Sequence, residues 1–590
     1  MSMEQTDRPA EHDPQSGMSS PDRSTLFWML GALVFYGALR LIAWANTTLF
    51  ADVDSLVYLA GIDTYATWSW REIDTLSPDL TPLYLVLSAL ARWITGDTVS
   101  GATLVSLLSA FLLAVVVGLI ARAWSGTAAG VIAIVLLAVN AMMIDLSVAV
   151  LTESTYIATV YLGAYLLWRR IDKADFGVKS ALILGVVFAL AFLNRVEGIL
   201  FLVAVPAIVA GIQLVSRRAR SPVFTDLRVP GWHAGRWIIL YVVAFLVLAL
   251  PQVTHVSEKM GEPALNGRVA WLTLWNSMPD RSSDEILFGL DFAPGDVNIR
   301  YFLENYQEAK ERVGSNNRDG SRLVTLADNA LRNIDRIHRS LLPDTMTPLG
   351  LSLALLGALA LFLRNALTAV FALLVGAVLI AAPLTHPIMY SRHVSILVPL
   401  FVVIQAVGIV YTARLLSNPA NSVSLRPEYV MAALVGLSIA VHFFPTKNSL
   451  RPPGANKDYD PSFLADPADY IRKSGAERLA TRRKYLSYFS GTHFVLAPFS
   501  DYPNLVCYLS LNEVDLLYVD FERMRDYPYV QRFINSEYTA DFSRVWLDSH
   551  SSEPRAAIFE LRESASCDES VETKPRDTVL QQTSLRLRSG

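Results

Sequence analysis

Residues 99–121 read VSGATLVSLLSAFLLAVVVGLIA, an apolar run of 23 residues without a charged side chain. An α-helix needs about 20 such residues to cross the hydrocarbon core of a bilayer. The run therefore predicts a membrane-spanning helix. Ten further mostly apolar runs lie at about 25–45, 127–143, 152–169, 179–194, 198–216, 237–255, 347–363, 366–385, 393–413 and 428–445. Together they predict a polytopic α-helical membrane protein with about 11 transmembrane helices.

The composition of the chain agrees with a membrane protein. Of the 590 residues, 52% are hydrophobic and 18% are charged, and the mean hydropathy is +0.35. Soluble globular domains carry about 25% charged residues. A net charge of −4 and the lack of a long basic tract argue against a nucleic-acid partner. The two cysteines, Cys507 and Cys567, are enough for one disulfide but make no zinc-type Cys/His pattern.

Loop charge predicts the orientation, because cytoplasmic loops are rich in Lys and Arg. The stretch 82–94 is apolar but short, and Arg92 falls within it. If 82–94 lies on the outer membrane surface, eleven crossings from a cytoplasmic N-terminus place every basic loop inside. These basic loops follow residues 121, 168, 216, 363 and 413. We therefore predict a surface helix at 82–94 and two long exterior loops, 46–98 and 256–346.

This topology divides the chain into four parts. Residues 1–24 are polar and contain no apolar signal-peptide segment, so they are predicted to form a disordered cytoplasmic tail. Residues 25–445 form the membrane domain. Residues 446–563 mix helix-like and strand-like runs, which is typical of a small α/β unit and predicts a C-terminal exterior α/β domain. Residues 564–590 are predicted to be a second disordered tail.

Two acids stand out in the first exterior loop. The stretch ADVDSLVYL, residues 51–59, places Asp52 and Asp54 shortly after the first apolar run. Ionisable residues close to membrane depth are functional candidates. The alternative is helix N-capping, since an acidic residue there satisfies free backbone N–H groups and favours the helix dipole. Both interpretations can hold, because only one of the two acids can be the cap.

Three later exterior turns carry the other ionisable candidates, each with a structural alternative. These candidates are Glu153, Arg195, Glu197, His386, Arg392 and His393. Glu153 with Thr152 can form an N-terminal cap. Arg195 with Glu197 can be a structural ion pair that ties two helices together. Arg392 can be an anchor at the membrane interface, and the two histidines can be ordinary loop residues.

Several segments, taken in order, are similar to one family. The segments are DSLVY (54–58), TPLYLVLSALARWITGD (81–97), LTESTYIATVYLGAYLLWRR (151–170), GVVFALAFLNRVEGILFLVAVPAI (185–208) and SRHVSILVPLFVVIQA (391–406). Over about residues 25–415 the chain resembles the GT-C membrane glycosyltransferases, specifically the protein O-mannosyltransferase and lipid A aminoarabinose-transferase-like group. It departs from that group in having Asp-x-Asp instead of adjacent acids, in the absence of proline from NRVEG, and in His393 where an aromatic residue is common.

The resemblance implies a sugar transfer from a polyprenyl-phosphate donor to an acceptor hydroxyl, with inversion at the anomeric carbon. A carboxylate would act as the base, and cations would stabilise the departing phosphate. The residues expected to act are Asp54, Asp52 and Glu153 in catalysis, Arg392, His393 and His386 at the donor phosphate, and Tyr58, Arg195 and Glu197 in substrate binding. Asp54 is favoured over Asp52 as the base by its spacing to Tyr58, and Glu153 would position the acceptor or share the proton.

The expected partners are the membrane, a lipid-linked sugar donor, and a glycan, lipid or protein acceptor. No cofactor is expected to be required, and a divalent cation held by Asp52 and Asp54 is the alternative. The expected location is the inner membrane of a bacterium. The alternative functions are a transporter or flippase of a lipid-linked or envelope substrate, and an envelope assembly protein without enzymatic activity. A transporter would place ionisable residues at mid-membrane, whereas this chain gathers them at one face.

Overall fold

The computed structural model describes most of the predicted membrane domain and much of the C-terminal part. The described residues are 23–46, 53–74, 76, 80–218, 231–267, 321–338, 347–385, 391–417, 426–449, 462–483, 486–487, 490–521, 524–534, 539–548 and 554–562. Asp52 and His386 lie outside the described residues. The predicted tail 564–590 and all but two residues of the predicted tail 1–24 also lie outside them.

Helices make up the described part of the chain up to residue 449. The helices are α1 (Arg23–Asn46), α2 (Val53–Ala66), α3 (Trp70–Ile73), α4 (Pro82–Thr95), α5 (Thr98–Ser125), α6 (Thr127–Ala138), α7 (Ala141–Val148), α8 (Glu153–Asp172), α9 (Val178–Asn194), α10 (Leu200–Arg218), α11 (Gly231–Met260), α12 (Ser321–Arg336), α13 (Pro348–Arg364), α14 (Ala366–Thr385), α15 (Ser391–Val394), α16 (Val398–Leu416) and α17 (Pro427–Ser449). Short 3₁₀ turns, Val196–Ile199 and Ser395–Leu397, precede α10 and α16. Each of the eleven apolar runs coincides with helical residues.

Length and apolar composition divide these helices into two groups. Within the described residues, four helical stretches are long and apolar enough to cross a membrane: Leu26–Asn46, Thr98–Ser125, Gly235–Met260 and Arg392–Leu416. The bent pair α6 and α7 adds a fifth if it counts as one span. Six shorter apolar helices accompany them, on α4, α9, α10, α13, α14 and α17. The chain is a helical, multi-pass membrane protein, and eleven spans remain a prediction.

The run expected as one helix over 127–143 is two helices, because the chain bends by 68° between α6 and α7. The side chain of Asn140 caps the start of α7. Arg40 of α1 is only 2% exposed and donates hydrogen bonds to Leu137 O at 2.9 Å and Ala138 O at 2.5 Å. Ala138 O is one of the carbonyl groups that a helix end leaves without a helical partner, and Leu137 O gains a second donor beside the Asn140 N–H. The buried arginine therefore stabilises the break.

Helices α13 and α16 cross in backbone contact. A Cβ atom on Gly357 would lie 1.9 Å from Ile404 O, and one on Gly408 would lie 2.0 Å from Leu353 O. Small residues permit such close approach between membrane helices. Helix α16 also packs against α5 and α6. Helix α16 is therefore packed against these three helices, and this packing fixes the position of the segment 391–397 that precedes it.

The stretch 82–94 forms most of α4. Its 14 residues are about 21 Å long, shorter than the roughly 30 Å hydrocarbon core. Arg92 Nη1 donates to Asp63 Oδ1 at 2.6 Å, and Thr98 Oγ1 donates to the same oxygen at 2.5 Å. Burial raises the pKa of the Asp63 carboxyl, while the Thr98 hydrogen bond and the Arg92 charge oppose the rise. Arg92 of α4 is thus paired with α2.

A five-stranded sheet with flanking helices occupies residues 462–562. Its elements are α18 (Ser462–Ser474), β1 (Arg478–Thr481), β2 (His493–Leu496), α19 (Tyr502–Leu511), β3 (Leu516–Asp520), α20 (Val530–Ile534), β4 (Phe542–Leu547) and β5 (Ala556–Leu561). The strand order is β2-β1-β3-β5-β4. Strands β2, β1 and β3 run parallel, whereas β5 is antiparallel to both β3 and β4. Cys507 in α19 is disulfide-bonded, and the sequence has one other cysteine, Cys567.

Candidate active site

One pocket brings together five residues predicted from the sequence. It holds about 530 Å³ of empty volume, its open mouth included. Its polar lining contains Glu153, Arg195, Glu197, Arg392 and His393. Its apolar wall includes Tyr156, Ile157, Leu200, Phe201, Val378 and Leu379. A charged end and an apolar wall in one pocket suit a ligand that has both a charged group and a hydrocarbon part.

Arg195 is the centre of a buried ion-pair network. Its Nη1 lies 2.7 Å from Glu153 Oε1, and its Nη2 lies 3.0 Å from Glu197 Oε1. The side chains of Arg195 and Glu153 are 8% and 6% exposed. The guanidinium carbon also lies 5.9 Å from the centre of the Tyr156 ring. Since a buried charge is costly unless it is paired, this network holds both carboxylates in fixed positions.

The backbone around this network is tied together by polar side chains. Asn194 Nδ2 donates to Thr152 O at 2.9 Å, and Thr81 Oγ1 donates to Asn194 O at 2.6 Å. Thr152 precedes α8 but makes no side-chain capping bond. The carboxylate of Glu153 instead pairs with Arg195. These bonds therefore join three segments beside the pocket, namely the start of α8, the end of α9 and the residue before α4.

Arg392 also lies near the Glu153 carboxylate. Its Nε lies 3.9 Å from Glu153 Oε1, and its side chain is 20% exposed. Ser395 Oγ donates to Arg392 O at 2.5 Å, which stabilises the turn that follows. His393 is the next residue and also lines the pocket. Arg392 is thus more accessible than Arg195, as a residue that contacts a ligand must be.

Tyr161 holds the segment that carries Arg392. Its hydroxyl donates to Ile396 O at 2.8 Å and accepts from Leu400 N at 2.9 Å. In a regular helix these two backbone groups would bond to each other. The hydroxyl therefore takes the place of one helical hydrogen bond at the start of α16. Sequence reasoning did not select Tyr161, although it lies eight residues after Glu153 on the same face of α8.

One oxygen of Glu153 is available for a ligand. Its Oε2 atom is buried, and no hydrogen-bond donor reaches it from the part of the chain that the structure describes. Leaving a buried acceptor without a donor costs about 1–3 kcal/mol. An O–H group in the pocket would remove that cost. Glu153 therefore suits binding of a hydroxyl group.

Helix α2 brings the first acidic motif toward this site. Tyr58 is buried, its ring meets the Tyr84 ring edge to face at 5.9 Å, and its phenol interacts electrostatically with Arg195. Asp54 lies one helical turn before Tyr58 in α2. Asp52 directly precedes the first residue of α2 in the sequence. The helix thus connects the position of Asp54 with the Arg195 network.

The described residues contain no group of three or more His, Cys, Asp or Glu side chains arranged to hold a metal ion. Asp52 and His386 are not among these residues, and the side chain of Asp54 is not described either. A cation bound between Asp52 and Asp54 therefore stays a prediction.

One protein-family model and several solved structures are similar to this chain. The family model for dolichyl-phosphate-mannose-protein mannosyltransferases matches residues 79–254. This segment includes Glu153, Arg195 and Glu197, but it begins after Asp54 and ends before Arg392. No curated protein sequence matches the chain.

Solved structures of membrane enzymes match over most of the chain. ArnT from Cupriavidus metallidurans, bound to undecaprenyl phosphate, has a TM-score of 0.52 and 12% identity, with 92% of this chain and 99% of that chain covered. The apo oligosaccharyltransferase of Archaeoglobus fulgidus has a TM-score of 0.52 and 12% identity, with coverage of 84% and 70%. The oligosaccharyltransferase AglB from that organism, with an inhibitory peptide and a dolichol-phosphate, has a TM-score of 0.50, 12% identity and coverage of 85% and 70%. The predicted resemblance to the GT-C membrane glycosyltransferases is thereby confirmed, and these structures show the fold.

Proposed function

We propose that the protein is a glycosyltransferase that moves a sugar from a polyprenyl-phosphate donor to an acceptor hydroxyl on the exterior face of the membrane. The observation that carries this proposal is the pocket in which Arg392 and Arg195 flank Glu153 beside an apolar wall. A lipid-linked sugar phosphate has the matching parts, an anionic group and a hydrocarbon chain. Support comes from the neighbours ArnT and AglB, which are described as bound to undecaprenyl phosphate and to a dolichol-phosphate.

The reaction is a single displacement. The oxygen of the acceptor hydroxyl attacks the anomeric carbon, and the bond from that carbon to the phosphate oxygen breaks. The phosphate leaves with the bonding electrons, while a carboxylate takes the hydroxyl proton. Attack from the side opposite the phosphate inverts the anomeric carbon. We assign the base to Asp54, with Asp52 as the alternative, and Glu153 to positioning the acceptor or sharing its proton.

Arginine is suited to the departing phosphate. Its planar guanidinium matches phosphate oxygens and stays charged at any physiological pH. Arg392 is the more exposed of the two pocket arginines, so we assign it to the donor phosphate, with His393 and His386 assisting. Arg195 and Glu197, fixed by their own ion pair, would shape the substrate-binding surface together with Tyr58.

An exterior C-terminal part is supported by its cysteine chemistry. Cys507 is disulfide-bonded, and disulfides persist mainly in oxidising compartments outside the cytoplasm. The loop charges favour the same orientation, with the N-terminus in the cytoplasm. We therefore propose a bacterial inner-membrane protein whose residues 446–563 form an exterior domain.

The proposal is tested by supplying purified protein in lipid nanodiscs with polyprenyl-phosphate sugars and candidate acceptors. Covalent products are identified by mass spectrometry. Replacing Arg392 by Gln is expected to lower kcat about 10²- to 10³-fold, the usual cost of removing one transition-state donor. The control is Arg414→Gln, near the exposed last turn of α16, which should leave transfer unchanged.

Two outcomes would contradict the enzymatic proposal. Transbilayer movement of the lipid without a covalent product would identify a flippase or transporter. If neither a covalent product nor transbilayer movement of the lipid is detected, and deletion of the gene impairs envelope integrity, the result would favour an assembly protein.

Tyr161→Phe is expected to lower kcat about tenfold while changing the KM for the lipid donor less, because Arg392 is assigned to the phosphate as it departs. The substitution removes the hydroxyl between Ile396 O and Leu400 N. The two backbone groups can then bond to each other, which would shift the segment that carries Arg392. Because each lost hydrogen bond is worth about 0.5–1.5 kcal/mol, the melting temperature should fall only slightly. Steady-state kinetics with varied donor concentration measures the effect.

Tyr165→Phe is the matched control, because Tyr165 lies one turn further along α8 and is half-buried. If both variants show the same kinetics, Tyr161 does not position Arg392.

A further inference from the structure

One residue of the predicted exterior loop 256–346 is bonded to the wall of the pocket. Asn333 lies on α12 and is only 4% exposed. Its Nδ2 atom donates to Pro383 O at 3.2 Å and to Leu384 O at 2.9 Å. Pro383 is one of the residues that line the pocket. The side chain of Asn333 therefore connects α12 with the backbone of a pocket residue.

The two carbonyl groups belong to the last turn of α14, which ends at Thr385. The last four carbonyl groups of a helix have no helical donor. Proline has no N–H, so Pro383 also removes the helical donor for Leu379 O, on another residue that lines the pocket. The last turn of α14 is therefore short of helical hydrogen bonds, and Asn333 supplies two from another helix.

Helix α12 can serve as an anchor because one side of it is attached to the membrane domain. The helix packs against α14. Ile337, directly after α12, is buried in the main hydrophobic cluster of the membrane domain. Leu331 and Ile334 of the same helix are exposed. Asn333 thus lies on the attached side, where its position is fixed by packing.

The turn that Asn333 holds is part of the apolar wall. Val378, Leu379 and Pro383 all line the pocket from α14. A hydrocarbon chain binds such a wall by close contact, and the attraction falls steeply when a gap of even 0.5–1 Å opens. The segment that carries Arg392 is held separately, through the bonds of Tyr161. A shift in the last turn of α14 would therefore weaken contact with a hydrocarbon chain more than contact with a phosphate.

We propose that Asn333 is a positioning residue that sets the apolar wall of the pocket for the hydrocarbon chain of a polyprenyl phosphate. Asn333 is not among the described residues that line the pocket, so it acts through the last turn of α14. The class of ligand rests on the proposed function. A helix cap with a purely structural role would lower stability without distinguishing long from short hydrocarbon chains.

The experiment is calorimetric titration of the full-length protein in nanodiscs with two prenyl phosphates, with empty nanodiscs as the blank. Farnesyl phosphate carries a long hydrocarbon chain, whereas dimethylallyl phosphate carries a single prenyl unit. Asn333→Ala should weaken binding of farnesyl phosphate about tenfold, the order expected for two lost hydrogen bonds, and change binding of dimethylallyl phosphate less than about twofold. Leu331→Ala is the matched control, since Leu331 lies on the same helix and is exposed, and it should change neither.

Wild-type protein provides the test if Asn333→Ala fails to fold. Farnesyl phosphate should slow amide hydrogen exchange in α12 as well as in the last turn of α14, because the two helices are joined by Asn333. Dimethylallyl phosphate should slow exchange in α12 much less. Exchange in α12 that does not respond to farnesyl phosphate would overturn the proposal.

Two titration results would also overturn it. They are unchanged binding of farnesyl phosphate in Asn333→Ala, and equal weakening of both prenyl phosphates. Failure of the proposed function would look different. Selective weakening of farnesyl phosphate, without sugar transfer from any donor, would contradict the glycosyltransferase and leave the role of Asn333 intact.

Discussion

Replacing Asp54 by Asn is expected to lower kcat for sugar transfer by about 10²- to 10⁴-fold, the range for loss of a general base. Asn keeps the size of the side chain but cannot accept the hydroxyl proton. Asp52→Asn is expected to retain most activity, because Asp52 directly precedes α2 and Asn caps a helix about as well as Asp. The measurement is single-turnover transfer from a defined polyprenyl-phosphate sugar.

The pair of variants also separates the competing roles of the two acids. If Asp52→Asn lost activity and Asp54→Asn kept it, Asp52 would be the base and Asp54 the helix cap. A requirement for an added divalent ion, weakened equally by both substitutions, would identify Asp52 and Asp54 as cation ligands. Full transfer by both single variants and by the double variant would rule out an Asp base in this motif.

Glu153→Gln is expected to reduce kcat/KM about 100-fold and to lower stability by about 1–3 kcal/mol. The carboxylate holds Arg195 at 2.7 Å and is almost fully buried, so its loss leaves a buried guanidinium with one carboxylate partner instead of two. Glu197 still pairs with Arg195 at 3.0 Å, which should preserve the fold. Thermal unfolding followed by intrinsic fluorescence gives the stability, and steady-state transfer gives the kinetic effect.

Glu197→Gln is the comparison, because the Glu197 side chain is more exposed, at 20%, and its ion pair is longer. It should affect both quantities less. A double-mutant cycle that combines Glu153→Gln with Arg195→Gln measures the coupling between these two side chains. The coupling energy should lie well above roughly 0.5 kcal/mol, the error with which independent substitutions add. A coupling near zero, or an unchanged kcat/KM in Glu153→Gln, would show that Glu153 takes no part in the site.

Sequence patterns predicted the helical elements well for a physical reason. Each membrane helix must present a nearly continuous apolar run to lipid, so eleven runs could be found without any knowledge of neighbours. The pocket residues Glu153, Arg195 and Arg392 were also found, because each lies at the end of an apolar run where a charge is exceptional. These residues are up to 239 positions apart in the sequence. Placing them in one site therefore required the assumption that these helix ends lie at the same face of the membrane.

Several features could not be predicted because their partners are distant in the chain. The break between α6 and α7 lies against Arg40, which is 97 and 98 residues from the carbonyl groups it bonds. The expected single helix over 127–143 was wrong, and this distant contact is not visible in the local sequence. Tyr161 acts on backbone groups 235 and 239 residues away. Tyr161 does not differ, in its local sequence, from an ordinary helix residue, and Arg40, although a charge within an apolar run, gives no sign in the sequence of which carbonyl groups it bonds.

Sequence alone determined that this chain is a multi-pass helical membrane protein whose ionisable residues gather at helix ends, because burial in lipid restricts composition at every position of a helix. The tertiary structure decided which of those residues meet. It joined Arg195 to Glu153 and Glu197, brought Arg392 to within 3.9 Å of Glu153 Oε1, and left Glu153 Oε2 buried with no hydrogen-bond donor among the described residues. Pairing of buried charges depends on distances between separate helices, and helix packing alone sets those distances.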